Sequence, residues 1–178
     1  MNTLHKLKRF GKLGIVAIAL VLSSCSNDDD DNNNGGPSGN AGGYVSAKVD
    51  GAQFDSMEIM GISTVSALRT GTGDGTLISV TGSSDSSHSI NIAMLGITST
   101  GTYSVNPDSD GTTLAYVDSG TQTSYDTSNC SGATGTIVVT ELTEDVVQGT
   151  FSFTGKVDED CSQSKSVTEG SFRGVFMN

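Results

Sequence analysis

The sequence predicts an all-β domain, an antiparallel meander of about ten short strands forming a barrel or barrel-like sandwich. Three observations carry that expectation. Short apolar alternations recur from Tyr44 to Asn178, residues such as Gly, Asp, Ser and Thr punctuate them, and no stretch keeps a helical period long enough to form a helix. A jelly-roll or immunoglobulin-like sandwich is the alternative, because strand count does not separate a closed barrel from two packed sheets.

The elements follow in order. Val45, Ala47 and Val49 alternate with Ser46, Lys48 and Asp50. The dipeptide Asp50-Gly51 favours a two-residue hairpin, so a second strand follows near Phe54. Strands come next near Leu77 and Ser89, where Ile90, Ile92 and Met94 alternate with Ser89, Asn91 and Ala93. Shorter ones fall near Gly101, Thr113, Ser124 and Gly135. Near Val147 the run continues to Phe151 and Phe153 between Thr150, Ser152 and Thr154, and near Val167 it continues to Phe172 and Phe176 around Arg173. Each alternation turns one apolar face inward and one polar face outward, as half-buried antiparallel strands require. Sequential hairpins favour a meander of lipocalin-like architecture, and Pro37 and Pro107 sit in linker and turn positions where they break no ladder.

Ahead of the β domain the composition changes twice. Met1 to Gly14 carries Lys6, Lys8, Arg9 and Lys12, and Ile15 to Leu22 is an unbroken apolar run. That is the charge-then-apolar order of a signal peptide, and the run is far shorter than the roughly 20 residues a spanning helix needs. Residues 22–25, Leu-Ser-Ser-Cys, resemble the lipobox of a bacterial lipoprotein signal. The resemblance implies cleavage between Ser24 and Cys25, a diacylglyceryl thioether on the Cys25 sulfur and acylation of its new amino group. One chain anchors marginally and two or more anchor stably, at about 0.8 kcal/mol for each buried methylene. The expected organisation is therefore a signal peptide over 1–24, a lipidated Cys25 with its tether over 25–43, and one β domain over 44–178.

From Ser26 to Gly43 almost nothing is apolar, so this segment reads as a disordered, flexible tether. Its opening, Ser26-Asn27-Asp28-Asp29-Asp30-Asp31, is similar to the acidic export tag of Bacteroidota surface lipoproteins, which implies display on the outer leaflet of the outer membrane. Position 26 is Ser, not the Asp that retains enterobacterial lipoproteins at the inner membrane. All twenty acidic residues follow Cys25, and loss of the four basic residues of the signal leaves five, a mature charge of about −15. Such a surface argues against nucleic acid as a partner.

Within the domain, 47–54 (Ala-Lys-Val-Asp-Gly-Ala-Gln-Phe), Gly101-Thr102-Tyr103, Gly149-Thr150-Phe151-Ser152-Phe153-Thr154 and Glu169-Gly170-Ser171-Phe172 resemble, in this order, a family of small Bacteroidota lipoproteins of unknown function. The resemblance implies a secreted β domain behind a lipid anchor. It implies no activity, cofactor or catalytic residue.

With Cys25 taken by lipid, Cys130 and Cys161 form an even pair in an oxidising compartment and are expected to be disulfide-bonded, stapling two loops or strand ends on one side. A zinc site would need nearby His or Cys that this chain lacks. The stretch 106–111 sets Asn106, Asp108 and Asp110 at the first, third and fifth positions and Gly111 at the sixth, half of a calcium-loop pattern. Position twelve is Val117 rather than the bidentate Glu such a loop requires, so the expectation is an ordinary turn and no metal. The segment Asp55-Ser56-Met57 looks like the short sequence at which Bacteroidota O-glycosylate secreted proteins, which makes Ser56 a candidate.

Catalytic chemistry has little to stand on. The mature chain has one histidine, His88, in the Ser-rich stretch Ser83 to Ser89, where a solvated side chain is the plain expectation. No Gly-x-Ser-x-Gly elbow is present. A glycan-active hydrolase using paired carboxylates is the remaining enzymatic reading, and no cofactor is expected. The favoured function is a lipid-anchored outer-membrane protein that faces the exterior and binds a small ligand, glycan or protein. The alternative is a structural or adhesive envelope component. An interior cavity lined by Ile90, Ile92, Met94, Phe151 and Phe153 would favour a lipophilic ligand, and a filled core would favour the structural class.

Overall fold

The structure, a computed structural model, describes residues 42–177. The expected signal peptide over 1–24, Cys25, and the tag Ser26, Asn27, Asp28, Asp29, Asp30 and Asp31 lie outside the described residues. The described residues contain no α-helix, and none of their elements is a helix long and apolar enough to cross a membrane.

Tyr44–Val49 (β1) and Ala52–Asp55 (β2) form the first hairpin. Its turn residues Asp50 and Gly51 both have positive φ, 48° and 85°, which is what a type I′ turn demands and why Asp-Gly occupies it. A second small hairpin follows, Glu58–Ile59 (β3) and Ile62–Ser63 (β4), with Met60 and Gly61 at positive φ. Ser66–Thr70 (β5), Leu77–Ser83 (β6) and His88–Leu95 (β7) then run as a meander.

Gly101–Val105 (β8) leaves this order and pairs with Thr134–Leu142 (β11). Its place beside β7 is taken by Thr113–Asp118 (β9), which makes a hairpin with Thr123–Asp126 (β10). After β11 come the two longest strands, Val146–Lys156 (β12) and Ser164–Val175 (β13), and β13 returns to pair with β1.

Every pairing is antiparallel, in the order β2-β1-β13-β12-β10-β9-β7-β6-β5, with β11 and β8 branching from β12. The sheet curls into a half-barrel that brings β5 and β6 against β13 and β1. The join between β10 and β12 is a single residue pair, Asp126 with Lys156. The sheet forks there, so the architecture is a barrel-like sandwich.

All ten expected strands are present. The expected continuous meander is interrupted by β8, because pairing partners are settled by long-range packing and not by order along the chain. Three strands were not anticipated. β3 and β4 have two residues each, and β5 buries only Ala67, so neither leaves a period-2 signal.

The inward rows match the alternation. Val45, Ile90, Ile92, Leu114, Val147 and Phe172 are fully buried, and Phe151 and Phe153 nearly so. Each such side chain contributes about 1.5–3 kcal/mol by leaving water. Glycines mark where the faces meet. A Cβ on Gly82 would lie 2.6 Å from the Val45 Cβ, and one on Gly174 would lie 2.8 Å from the Ala67 Cβ. Ile90, Ile92, Met94, Phe151 and Phe153 thus belong to one hydrophobic core between the layers.

Candidate functional site

At the two ends of the inward face the buried rows give way to polar and aromatic side chains. Directly opposed residues on antiparallel strands share a face. Ile90 opposes Tyr116, and Tyr116 opposes Tyr125, so the buried row of β7 continues outward into His88 and two tyrosines. The rings of His88 and Tyr116 stack 6.0 Å apart at 11°, and those of Tyr116 and Tyr125 are 6.3 Å apart. Lys165, opposite Gly155 in β12, holds its Nζ 5.9 Å above the Tyr125 ring. Gly155 is required at this point, since a Cβ there would meet the Tyr125 carbonyl oxygen at 2.4 Å.

Lys165 and His88 at this end each face a carboxylate. Lys165 Nζ donates to Asp50 Oδ2 at 2.7 Å, while Asp50 Oδ1 accepts the Ser166 N–H. The hydrogen bond from Lys165 holds the Asp50 carboxyl below the usual carboxylate range and pushes the lysine up. His88 Nδ1 lies 2.7 Å from Asp85 Oδ2, and its Nε2 is 3.9 Å from Asp118 Oδ1. The Asp85 hydrogen bond raises the imidazole above its ordinary value and lowers Asp85. Burial raises the Tyr116 hydroxyl, and the Thr121 N–H holds Asp118 down. This corrects the expectation of a merely solvated His88. The Asp85 to His88 spacing across a tight turn was the available signal.

The other end differs. Arg69 in β5 opposes buried Ile78 and sets its guanidinium carbon 4.3 Å from the centre of the Phe176 ring. Its Nε is buried without an acceptor. Among the described residues Arg69 and Lys156 make no ion pair, Lys156 donating to the Ser131 carbonyl instead, whereas Lys48, Lys165 and Arg173 each pair with a carboxylate. The side chain lines a hollow of about 350 Å³ whose apolar surface comes from Ile78, Ile97 and Leu142, with Thr76, Thr98 and Thr143 adding hydroxyls. Guanidinium on an aromatic face is a favourable arrangement, and it leaves the head groups available to an anion. Sequence reasoning missed Arg69, which reads as an ordinary strand charge until Phe176 is brought to it.

Cys130 and Cys161 are joined in a disulfide with Cα atoms 5.6 Å apart. Cys130 is buried in the turn after β10, and Cys161 is exposed in the turn between β12 and β13. The bond therefore reinforces the fork where β10 and β12 share one residue pair, and Lys156 Nζ adds a hydrogen bond to the Ser131 carbonyl there.

The 106–111 stretch is a turn closed on itself. Asn106 Oδ1 accepts the Asp108 N–H at 2.8 Å, and the Asn106 N–H donates to Ser109 Oγ. Asp110 is in the same turn, and the described residues include no group of three or more His, Cys, Asp or Glu placed to hold a metal. Ser56 lies just past β2, half-buried, with its Oγ accepting the Val45 N–H at 3.0 Å.

A family model described as a domain of unknown function, DUF6252, matches residues 44–176. No curated protein and no solved structure matches the chain.

Proposed function

We propose, for a chain that belongs to the DUF6252 family, a lipid-anchored binding module: Cys25 is lipidated, the acidic segment Ser26 to Asp31 carries the protein to the outside of the outer membrane, and the β domain binds a partner through an end of its half-barrel. The observation that carries the binding reading is Arg69, a cation without a carboxylate partner among the described residues, lining an open hollow in a strongly acidic chain. Buried or half-buried charges are normally paired, so an unpaired one at an opening is a candidate recognition element. The His88 end is read as structural, because His88 and Lys165 already have carboxylate partners. The lipobox pattern and the even cysteine pair support export, and the disulfide suits an oxidising compartment.

The packed interior favours a second reading, a structural or adhesive envelope component. One experiment tests the anchoring that both readings share, and a second separates them. Protease added to intact cells should remove the domain, and a Cys25→Ser variant should leave the outer-membrane fraction; resistance of the domain on intact cells would overturn surface display. A small-molecule and glycan screen against the wild-type protein that returned no saturable binder would favour the structural reading.

A further inference from the structure

Resting on the binding-module reading, we infer that the Arg69 hollow is a site for a small carboxylate whose body is apolar. The ligand class follows from the lining. Arg69 is held by Phe176, itself buried, so the guanidinium is fixed in position before any ligand arrives. Its Nε is enclosed with no acceptor, which strips part of its water and strengthens attraction to an anion in the hollow. The terminal amino groups of a guanidinium match the two oxygens of a carboxylate.

Next to the cation the lining combines threonine hydroxyls with an apolar part. Ile78 and Ile97 are almost fully buried and form the floor, with Leu142 at the side. A hydrophilic anion such as inorganic phosphate would satisfy the charge and leave the half-buried Leu142 side chain in contact with water. A carboxylate bearing a short hydrocarbon body covers both. The volume of about 350 Å³ admits a ligand of that size, at the low end of the roughly 300–1,000 Å³ found for small-molecule sites. Glu144, also at the hollow, makes no ion pair with Arg69 and disfavours ligands of higher negative charge.

The test uses the full chain and hexanoate as the probe, with hexanol and inorganic phosphate as comparisons, read by calorimetric titration. Hexanoate should bind saturably at one site per chain, and the other two should bind at least tenfold more weakly. Arg69→Gln should weaken hexanoate at least tenfold, and Arg69→Lys should weaken it less. Because Arg69→Gln also removes a packing contact, Thr98→Phe provides a second variant. Thr98 is exposed at the hollow, and a ring there should abolish binding while leaving the thermal midpoint and Arg69 unchanged. Equal binding of hexanol, or hexanoate binding indifferent to both variants, would overturn the carboxylate assignment and leave the binding-module reading standing. Absence of any saturable hexanoate binding would overturn the assignment as well. Only a blank result in the wider ligand screen would count against the module itself.

Discussion

Removal of the Cys130 to Cys161 disulfide tests how the forked sheet is held together. The two residues are 31 apart in sequence. In the chain-entropy model a loop of that length restricts the unfolded chain by about 3.7 kcal/mol at 25 °C. The native side of the balance points the same way, because the bond spans the join where β10 and β12 share one residue pair. The perturbation is the double variant Cys130→Ala, Cys161→Ala, which leaves Cys25 in place. Urea unfolding followed by circular dichroism should show a loss of about 3–4 kcal/mol, which at a slope of about 2 kcal/mol/M lowers the midpoint by about 2 M.

Hydrogen exchange adds the position of the effect. Amides of Tyr125, Asp126 and Lys156 should exchange faster in the variant, with β6 and β7 changing only through the global loss. A stability loss below about 1 kcal/mol would refute the reasoning from loop length. Faster exchange confined to strands other than β10 and β12 would refute the placement of the staple at the fork.

Other outcomes follow from the same geometry. The His88 imidazole should titrate above 6.5 by NMR, and Asp85→Asn should move it down, since the Asp85 hydrogen bond is the leading cause of its raised value. The stabilisation from the histidine is complete below the unfolded value near 6.5 and is lost as pH rises through the higher folded value; that from Asp85 is present above about 3.8 and is lost as pH falls through its lowered value. The pair therefore stabilises the fold most between those limits, and a wild-type His88 titrating at or below 6.5 would contradict it. Gly82→Ala should cost about 1–3 kcal/mol in thermal or urea unfolding, because the new methyl meets the Val45 Cβ at 2.6 Å inside a packed core; a neutral substitution would show that the layers are less tightly apposed.

Much of the fold was legible because its signals are local. Ile90, Ile92 and Met94 lie on one side of a strand wherever that strand pairs, and Asp50-Gly51 imposes its turn without help from the rest of the chain. The cysteine pair was legible by counting alone. What was not legible depends on distant partners. β8 joins β11 across the intervening hairpin, and β5 buries a single apolar residue, so neither its presence nor its edge position shows in the pattern. The candidate site divides in the same way. His88 and Asp85 are three residues apart and could have been paired from sequence, whereas the stacking of Tyr116 on His88 needed the β7 to β9 pairing. Arg69 gains its meaning only when Phe176, from the other end of the domain, supplies the ring it rests on.

We propose that Cys25 holds the stapled β domain on a membrane. The direct measurement is the mass of the amino-terminal peptide of the mature protein recovered from the outer-membrane fraction. The expected peptide begins at Cys25 and carries both a thioether-linked diacylglyceryl group and an acylated amino group. A peptide that retains the residues before Cys25, or one in which Cys25 is an unmodified thiol, would contradict it.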